Sequence, residues 1–397
     1  MTPAARLSAA IELLDTVLSG ANAERSLTNW ARGNRYAGSK DRRAIRDHVF
    51  DALRRLRSYA WLGGAGDAIP AGQVTGRQVI LGALIAQGID PDTFFNESRF
   101  APAPLTEGER AAIASLEAAP RGVALDCPDW LLPLYEEALG EDAEAVLDLI
   151  RQRSPVFLRV NRTRATIGHA IEMLEVDGIS ALPHPLSEGA LKVTEGANGV
   201  ARSQAYLTGA VELQDAGAQA ALDRVPTQDG WRVLDYCAGG GGKALALAAR
   251  GGLDVTAYDI DPSRMQDIGP RASRAGVTIA TARKADLAPA YDLIVADVPC
   301  SGSGSWSRAP QAKWQLTPER LDDLTETQAQ ILRDIAPRLA KGGVLAYITC
   351  SLFDRENGAQ IAAFITAHPD FTLESSEMIS PLRGGDGFYV AVLRRSR

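Results

Sequence analysis

The spacing of apolar positions along the chain changes near residue 154. Before that point, apolar residues recur every three or four positions, which predicts amphipathic helices. Glycines 63, 64 and 66 and Pro70 interrupt this pattern and predict a break between helices. The first 150 residues are therefore predicted to be mainly helical. The predicted helices cover residues 4–18, 41–61, 79–86, 107–116, 130–139 and 142–151.

Beyond residue 154 the pattern predicts strands as well as helices. A short apolar run at 156–160 reads as a strand, and Thr166 caps a helix predicted over 166–176. From residue 214 onward, apolar strands alternate with helical segments, which is typical of a parallel, doubly wound sheet. The predicted strands of this sheet are 232–236, 253–258, 293–297 and 344–349. We therefore expect an α/β protein with a helical domain (1–130), a helical and α+β connector (131–212) and a Rossmann-like domain (213–397).

Composition narrows the class of protein. The 397 residues are 46% hydrophobic and 23% charged, which is ordinary for a globular protein. No stretch approaches 18 uncharged apolar residues, and Glu12 and Asp15 lie where a secretory signal would be apolar. Four cysteines are too few for a disulfide framework, so we expect a reducing cytoplasmic location without membrane attachment. The sequence does not indicate an oligomeric state, and we expect no metal ion.

A basic segment stands out in a chain with a net charge of −7. Residues 31–57 contain nine lysines or arginines against three aspartates, a local charge of +6. A solvated helix face and a surface that binds the phosphates of a nucleic acid both explain such a run. The two interpretations remain open on sequence grounds.

A glycine-rich turn joins a predicted buried strand to a helix over residues 231–249. Glycines allow close approach of a ligand to the backbone, and the helix start offers free N–H groups. Asp235 ends the strand, and Asp259 follows the next strand where a carboxylate can accept bonds from ribose hydroxyls. Asp286, after a further short segment, could contact an adenine amino group or simply form a turn. Dinucleotide and S-adenosylmethionine binding remain equally open from this region.

Two cysteines follow two predicted strands of the same sheet. Asp297 ends one strand and Cys300 follows it in Asp-Val-Pro-Cys, whereas Cys350 follows Thr349 at the end of another strand. Ligands of open parallel sheets bind at the carboxyl ends of the strands, so neighbouring strands would bring the two thiols together. A thiolate that adds to carbon 6 of a pyrimidine activates carbon 5 to accept a methyl group. Asp297 is then placed to stabilise the charge that develops on the ring.

These motifs together resemble the RNA cytosine-5 methyltransferases of the RsmB/Sun group. The similarity rests on Asp-Val-Pro-Cys-Ser-Gly, Thr-Cys-Ser and the glycine loop, with the runs LRVNRTRAT, LQDAGAQ and GGDGFYVAVLRR in support. It covers residues 155–397, and the helical N-terminal region resembles a NusB-type RNA-binding domain more weakly. The resemblance implies that Cys350 is the nucleophile and that Cys300 assists release of the product. It also implies a set of S-adenosyl-L-methionine-binding residues: Cys237, Ala238, Gly239, Gly240, Gly241, Gly242, Lys243, Asp259, Asp286 and Asp297.

The glycine loop departs from the family pattern. Gly239 and Gly240 stand where the family usually has Ala-Pro, and Ala244 stands where it has threonine. Extra glycine loosens a turn, so we expect an effect on methyl-donor affinity and none on the type of reaction. The expected activity is transfer of a methyl group to carbon 5 of a cytosine in RNA, foremost 16S-type ribosomal RNA.

Three alternatives accompany this expectation. A transfer RNA could be the substrate in place of ribosomal RNA. A nucleotide-dependent oxidoreductase would explain the glycine loop and Asp259 but would leave both strand-end cysteines unused. A non-catalytic RNA-binding assembly factor would explain only the unusual loop. An amino-group methyltransferase is disfavoured because Pro299-Cys300 stands where that class has Pro-Pro followed by an aromatic residue.

Overall fold

The computed structural model describes residues 1–67 and 74–396. The chain forms two compact units: Met1–Arg153 with Trp306–Gln315, and Ser154–Ser305 with Leu316–Arg397. Pro70, one of the predicted helix breaks, lies outside the described residues. The domain boundaries at 130 and 212 stay predictions.

The first unit is helical, as predicted. Its core contains Leu14, Ile45, Leu53 and Ile80, all at most 2% exposed. The helix predicted over 41–61 is interrupted at position 55 and passes into a π-helical turn, Trp61–Ala65. Its helices are α1 (Pro3–Leu18), α2 (Ala23–Gly33), α3 (Ser39–Arg54), α4 (Leu56–Ala60), α5 (Gly76–Ala86), α6 (Glu107–Ala112), α7 (Arg121–Ala124), α8 (Leu132–Leu139) and α9 (Ala143–Ile150).

A segment from much later in the chain completes this unit. Trp306–Gln315 belongs to it, and the Trp306 side chain is 1% exposed. Trp314 donates its indole N–H to the carbonyl of Leu53 at 2.6 Å, and Lys313 donates to the carbonyl of Asp126 at 2.5 Å. The sequence pattern did not predict this insertion, because nothing local marks a helix as belonging to another unit.

The second unit begins with a small antiparallel sheet in the order β2-β3-β1-β4. Thr166 caps its longer helix by accepting a hydrogen bond from the backbone of His169, as the sequence predicts. Apolar residues of this part form their own cluster, which confirms a small α+β connector. The elements are β1 (Val156–Val160), α10 (Ile167–Val176), β2 (Ser180–Pro183), β3 (Ala190–Glu195), α11 (Gln204–Leu207) and β4 (Val211–Leu213).

The larger part of this unit is a seven-stranded sheet in the order β10-β11-β9-β8-β5-β6-β7. The reversal of strand order beside β5 creates the crevice in which such folds bind ligands. Its strands are β5 (Arg232–Asp235), β6 (Asp254–Ala257), β7 (Ala280–Thr281), β8 (Tyr291–Asp297), β9 (Leu339–Thr349), β10 (Phe371–Ile379) and β11 (Phe388–Arg395). Its helices are α12 (Ala216–Asp223), α13 (Gly242–Ala248), α14 (Ile268–Ala275), α16 (Pro318–Ile335) and α17 (Gly358–Ala367), with α15 (Pro310–Gln315) belonging to the first unit.

The Rossmann-like sheet is confirmed, but it is not wholly parallel. The five strands from β9 to β7 are parallel, whereas β11 runs antiparallel to β9, and the edge strand β10 in turn pairs antiparallel with β11. The pattern missed β10 because most of its side chains are exposed, so it carries no apolar run. Among the described residues, no helix has the length and apolar character needed to cross a membrane.

Candidate active site

A cavity of about 1070 Å³ lies at the carboxyl ends of the parallel strands. Asp235 ends β5, Asp297 ends β8 and Cys350 follows β9, and all three line this cavity. The strands β8 and β9 are paired neighbours. This confirms the prediction that the two cysteines following them lie close together. The volume exceeds the usual range for one small ligand, which allows a cofactor and part of a second substrate to be held together.

The glycine turn forms one wall of this cavity. Gly239 and Gly241 have φ values of +51° and +80°, in the region that glycine adopts without a Cβ penalty. The Gly239 N–H donates to the Asp259 carboxylate at 2.8 Å, and Arg264 pairs with the same carboxylate at 3.1 Å. A Cβ at Gly239 would lie 3.0 Å from the Arg264 guanidinium. Here the turn that departs from the family pattern is held by arginine side chains.

Buried Lys243 and half-buried Asp297 form an ion pair that lines the same cavity as the cysteines. The Lys243 ammonium donates to the Asp297 carboxylate at 2.5 Å. Burial opposes the charge on Lys243, but the attraction of Asp297 and their hydrogen bond outweigh it, so the pKa of Lys243 is raised. This pair presents a fixed cation and carboxylate to whatever enters the cavity.

Asp235 lies behind this pair. Its side chain is fully buried, and burial raises its pKa to about 7, although Lys243 acts in the opposite direction. At neutral pH the carboxyl is thus close to half protonated, which limits the negative charge beneath the cavity.

The two predicted catalytic cysteines are in contact. Their sulfur atoms are 3.3 Å apart, and both thiols are free. The pKa of Cys350 is lowered, first because Cys300 donates a hydrogen bond to its sulfur and further because Ser305 and Lys243 favour the thiolate. The same hydrogen bond, together with burial, raises the pKa of Cys300. These opposite pKa shifts favour the thiolate form at Cys350 and the protonated form at Cys300.

A buried carboxylate connects the two cysteine loops. Glu356 is fully buried and accepts hydrogen bonds from the Ser301 backbone N–H at 2.8 Å and the Ser301 hydroxyl at 2.5 Å. It also accepts one from the hydroxyl of Ser351. Gln328 donates to the same carboxylate at 3.0 Å and to the Pro299 carbonyl at 2.9 Å. One side chain thus fixes the residue that follows each cysteine.

Replacement of Glu356 tests whether this network positions the thiols. In Glu356→Gln, the amide N–H₂ group replaces a carboxylate oxygen that accepts from N–H and O–H donors, so donor faces donor and hydrogen bonds are lost. We therefore expect a loss of about 2–3 kcal/mol in the free energy of unfolding. We also expect a fall in kcat with little change in methyl-donor affinity, because the network contacts the cysteine loops only. Asp354→Asn, in the same short turn but exposed, is the matched control. Equal kcat in the two variants would show that Glu356 has no positioning role.

The structure brings most of the sequence-predicted residues to one place. The cavity is lined by Cys237, Ala238, Gly239, Gly240, Gly242, Lys243, Asp259, Asp297, Cys300 and Cys350. Gly241 lies behind the turn, where its Cα faces Ile268. Asp286 is exposed in a short 3-10 turn and is not among the described lining residues, so its contact with a cofactor stays a prediction.

Sequence reasoning missed the residues that support the site. Glu356 and Gln328 gave no signal, because an isolated Glu or Gln on a helical segment is normally read as exposed. The serines that follow each cysteine, Ser301 and Ser351, were a usable signal. Both are small hydroxyl residues in the same position relative to a strand-end cysteine.

Comparisons with known proteins agree with this geometry. Residues 222–394 match the family model for 16S rRNA methyltransferase RsmB/F, and residues 127–198 match the ferredoxin-like domain of RsmF/B-like methyltransferases. The chain is 34% identical over 282 residues to ribosomal RNA small subunit methyltransferase B of Yersinia enterocolitica, covering 67% of this chain and 66% of that protein. The Yersinia pseudotuberculosis protein of the same name is 34% identical over 280 residues, covering 66% and 65%. The chain thus spans just under two thirds of these relatives.

Solved structures share the fold. The crystal structure of PH0851 has a TM-score of 0.74 at 22% identity and covers 100% of this chain and 99% of its own. NSun6 from Pyrococcus horikoshii, determined with SFG, has a TM-score of 0.61 at 17% identity, covering 71% and 100%. At these identities the likeness establishes the architecture of the chain.

Proposed function

The chain belongs to the RsmB/F family of 16S rRNA methyltransferases, and on that premise we propose that it methylates carbon 5 of a cytosine in RNA with S-adenosyl-L-methionine as donor. The single observation that carries the proposal is the contact between Cys300 and Cys350 beside the Lys243–Asp297 pair. A cysteine thiolate is the nucleophile that pyrimidine carbon-5 chemistry needs. An oxidoreductase would have no use for it.

The glycine-loop side of the cavity fits the methyl donor. Asp259 is nearly buried and directed to the turn, where its carboxylate can accept bonds from ribose hydroxyls. Ile260 follows it and is 88% exposed at the cavity wall, an apolar surface suited to an adenine ring. When bound, S-adenosyl-L-methionine supplies an electrophilic methyl group. The chain's own part is to hold that group beside the cysteines.

Cys350 begins the reaction. Its thiolate adds to carbon 6 of the cytosine, which forms a carbon–sulfur bond and moves electron density to carbon 5 and the ring nitrogen. Carbon 5 then takes the methyl group from the donor sulfur, so one carbon–carbon bond forms and one carbon–sulfur bond of the donor breaks. The lowered pKa of Cys350 increases its thiolate fraction relative to that of an ordinary cysteine.

The Lys243–Asp297 pair stabilises the base during this addition. Negative charge that develops at the pyrimidine ring lies near the buried Lys243 ammonium. Their electrostatic attraction is stronger in a cavity that excludes water than in bulk water. The sequence places Asp297 to stabilise this charge. We propose that Lys243, which donates a hydrogen bond to Asp297, shares this role.

Cys300 completes the cycle. After methyl transfer, carbon 5 must lose its proton and the bond from Cys350 to carbon 6 must break. Cys300 is 3.3 Å from the departing sulfur and carries the proton in the resting pair. We propose that Cys300 releases its proton to solvent once Cys350 is bonded to carbon 6. The Cys300 thiolate then accepts the carbon-5 proton as the carbon–sulfur bond breaks and Cys350 leaves as thiolate.

The test of this function is direct. The purified protein, supplied with isotopically labelled S-adenosyl-L-methionine, should place the label on 5-methylcytosine in unmethylated small-subunit ribosomal RNA, as measured by nucleoside mass spectrometry. Bisulfite sequencing then locates the base. Labelling confined to transfer RNA would favour that alternative substrate. Absence of labelled 5-methylcytosine in both RNAs would favour the assembly-factor alternative.

The basic segment at 31–57 supports an RNA partner, but fewer of its basic side chains are free to bind phosphate than the sequence suggests. Arg54 and Arg57 are buried, and Arg57 is held by Asp67 and Asp129. Arg46 pairs with Glu24 at 2.5 Å. These three arginines are therefore structural or neutralised. The exposed remainder is Arg32, Arg35, Lys40, Arg42 and Arg43, with Arg55 half-buried.

Removal of three of these cations should weaken RNA binding through phosphate contacts alone. For Lys40→Ala with Arg42→Ala and Arg43→Ala, we expect the slope of log affinity against log salt to fall by up to about three units. Methyl-donor affinity should not change. The measurement is RNA affinity at several salt concentrations. The control is a triple change of Arg99, Arg110 and Arg121 to alanine. It removes the same charge elsewhere in the first unit. An unchanged slope would identify the segment as a solvated helix face.

A further inference from the structure

A second cavity, of about 820 Å³, lies within the second unit. It is bordered by β1, the loop at 185–189 and the carboxyl ends of α12 and α13. Positive side chains outnumber negative ones on its walls, where Glu188 and Asp223 are the carboxylates. The cationic lining residues are Arg159, Arg162, Arg224, Arg250 and Arg383.

Three of the five arginines already have carboxylate partners. Arg224 and Arg383 both pair with Glu377, at 2.6 and 2.9 Å. Arg162 pairs with Glu188 at 3.2 Å. Their charge is largely neutralised at the rim of the cavity. The remaining two, Arg159 and Arg250, need a separate explanation.

Arg159 is a buried cation opposite Glu212 of the paired strand β4, but that carboxylate is ion-paired with Arg271 and Arg274. Arg159 is 9% exposed, its Nε is buried with no hydrogen-bond acceptor, and no carboxylate among the described residues lies within 4.0 Å of it. Arg250 donates hydrogen bonds from its guanidinium to the carbonyls of Leu222 and Val225. These carbonyls carry no formal charge, so they do not neutralise the arginine. Burial lowers the pKa of Arg159 to about 10, so the side chain is still a cation at neutral pH. A buried charge in this state normally has an anion beside it.

An unpartnered acceptor lies in the same wall. Gln219 is 2% exposed and donates its amide to the carbonyls of Leu158 and Gln214, at 3.2 and 3.0 Å. Its Oε1 is buried without a donor. Buried polar atoms are nearly always hydrogen-bonded to protein, water or ligand, so this oxygen is available to accept a hydrogen bond from a water or a ligand hydroxyl. One cavity wall therefore offers both a cation and a free acceptor.

We infer that this second cavity binds a ribose-phosphate unit of the RNA substrate, with Arg159 on the phosphate and Gln219 Oε1 accepting from a ribose hydroxyl. The inference rests on the proposed function. A guanidinium presents two parallel N–H groups to phosphate oxygens, which suits Arg159 better than any other side chain here. Helix α13 begins at the first cavity and reaches the second after seven residues, about 10 Å. An RNA strand with its base in the first cavity spans that distance within a few nucleotides.

Two substitutions test the site in different ways. Arg159→Met removes the charge and keeps an apolar side chain of similar length. Gly189→Glu adds a negative charge to the wall without removing any contact, because a Cβ there would approach nothing closer than 3.6 Å. Gly189→Gln is its neutral control. Arg202→Ala removes an exposed arginine of the same unit that does not line the cavity.

The measurements use inorganic phosphate and an unmethylated small-subunit ribosomal RNA transcript as separate probes. Phosphate should raise the thermal midpoint of the wild-type protein and of Arg202→Ala, but not of Arg159→Met or Gly189→Glu. RNA affinity should fall about tenfold in Arg159→Met, with a salt slope lower by about one unit, whereas S-adenosyl-L-methionine affinity stays the same. Both Gly189 variants occupy space beside Gln219 Oε1, so Gly189→Glu should lose more RNA affinity than Gly189→Gln, and the difference reports the effect of the added charge.

Each other outcome contradicts a defined part of the inference. If phosphate stabilisation is lost but RNA affinity is unchanged, the site takes a free anion and the assignment to RNA is wrong. If neither response changes, the cavity binds no phosphate. Methyl transfer by the wild-type protein is assayed in parallel. If no 5-methylcytosine forms although RNA binding depends on Arg159, the proposed reaction fails and the binding site stands.

Discussion

Cys350→Ala should abolish methyl transfer to RNA, with a fall of at least about 10³-fold in turnover. The thiolate supplies the bond that activates carbon 5, and none of the other thiols is placed to replace it. The hydrogen bond with Cys350 and burial both raise the pKa of Cys300, which favours its protonated form. Methyl-donor affinity should stay near that of the wild-type protein, because the glycine turn lies on another wall of the cavity. Turnover and binding are measured on the same preparation.

The control is the removal of a cysteine that belongs to the first unit and does not line the cavity. Cys127 is buried in the first unit, and burial raises its pKa to about 12, so it is an unreactive thiol. Cys127→Ala should retain methyl transfer. Substantial turnover by Cys350→Ala would transfer the role of nucleophile to Cys300.

Cys300→Ala should trap the enzyme on its RNA. Addition by Cys350 and methyl transfer remain possible, but elimination loses the group that we assign to it. We therefore expect a covalent protein–RNA adduct that persists on a denaturing gel and forms in at least about tenfold excess over the wild-type level. The double variant, in which Cys350 is also alanine, should give no adduct.

The same variant has a predictable pH dependence. Cys300 is the largest cause of the lowered pKa of Cys350, so its removal should raise that pKa toward or above the ordinary value of a thiol. A higher pKa means less thiolate at neutral pH. The rate of adduct formation should therefore rise with pH and reach its plateau at a higher pH than wild-type methyl transfer. A plateau at the same pH would mean that Cys300 does not set the ionisation of Cys350.

The parts of this molecule that could be predicted from sequence are those whose signal is local. The strand–turn–helix around Asp235 and the strands ending at Asp297 and Thr349 each combine an apolar run with turn residues. Placement of Cys300 and Cys350 at one edge of the sheet followed from the rule for parallel strands. The contact of their sulfur atoms required only that β8 and β9 be neighbours.

The parts that could not be predicted depend on contacts between distant residues. Buried Glu356 accepts hydrogen bonds from Ser301 and Gln328, 55 and 28 positions away, as well as from nearby Ser351, and no periodic pattern records such a network. The sequence counted Arg54 and Arg57 as part of a charged surface, but carbonyls and carboxylates elsewhere in the first unit hold them inside it. Strand β10 was missed because it lies at the edge of the sheet and most of its side chains are exposed.

The membership of Trp306–Gln315 in the first unit also sets an order for folding during synthesis. The core of that unit cannot be completed when residue 153 leaves the ribosome, because Trp306 and Lys313 are still about 150 residues from being made. At about 5–20 residues per second, this interval lasts roughly 8–30 s. During it, the nascent helical segment exposes the surface that Trp306 and Trp314 later cover. An N-terminal fragment that stops before residue 306 should therefore aggregate, whereas addition of a peptide with the sequence of residues 306–315 should restore its solubility.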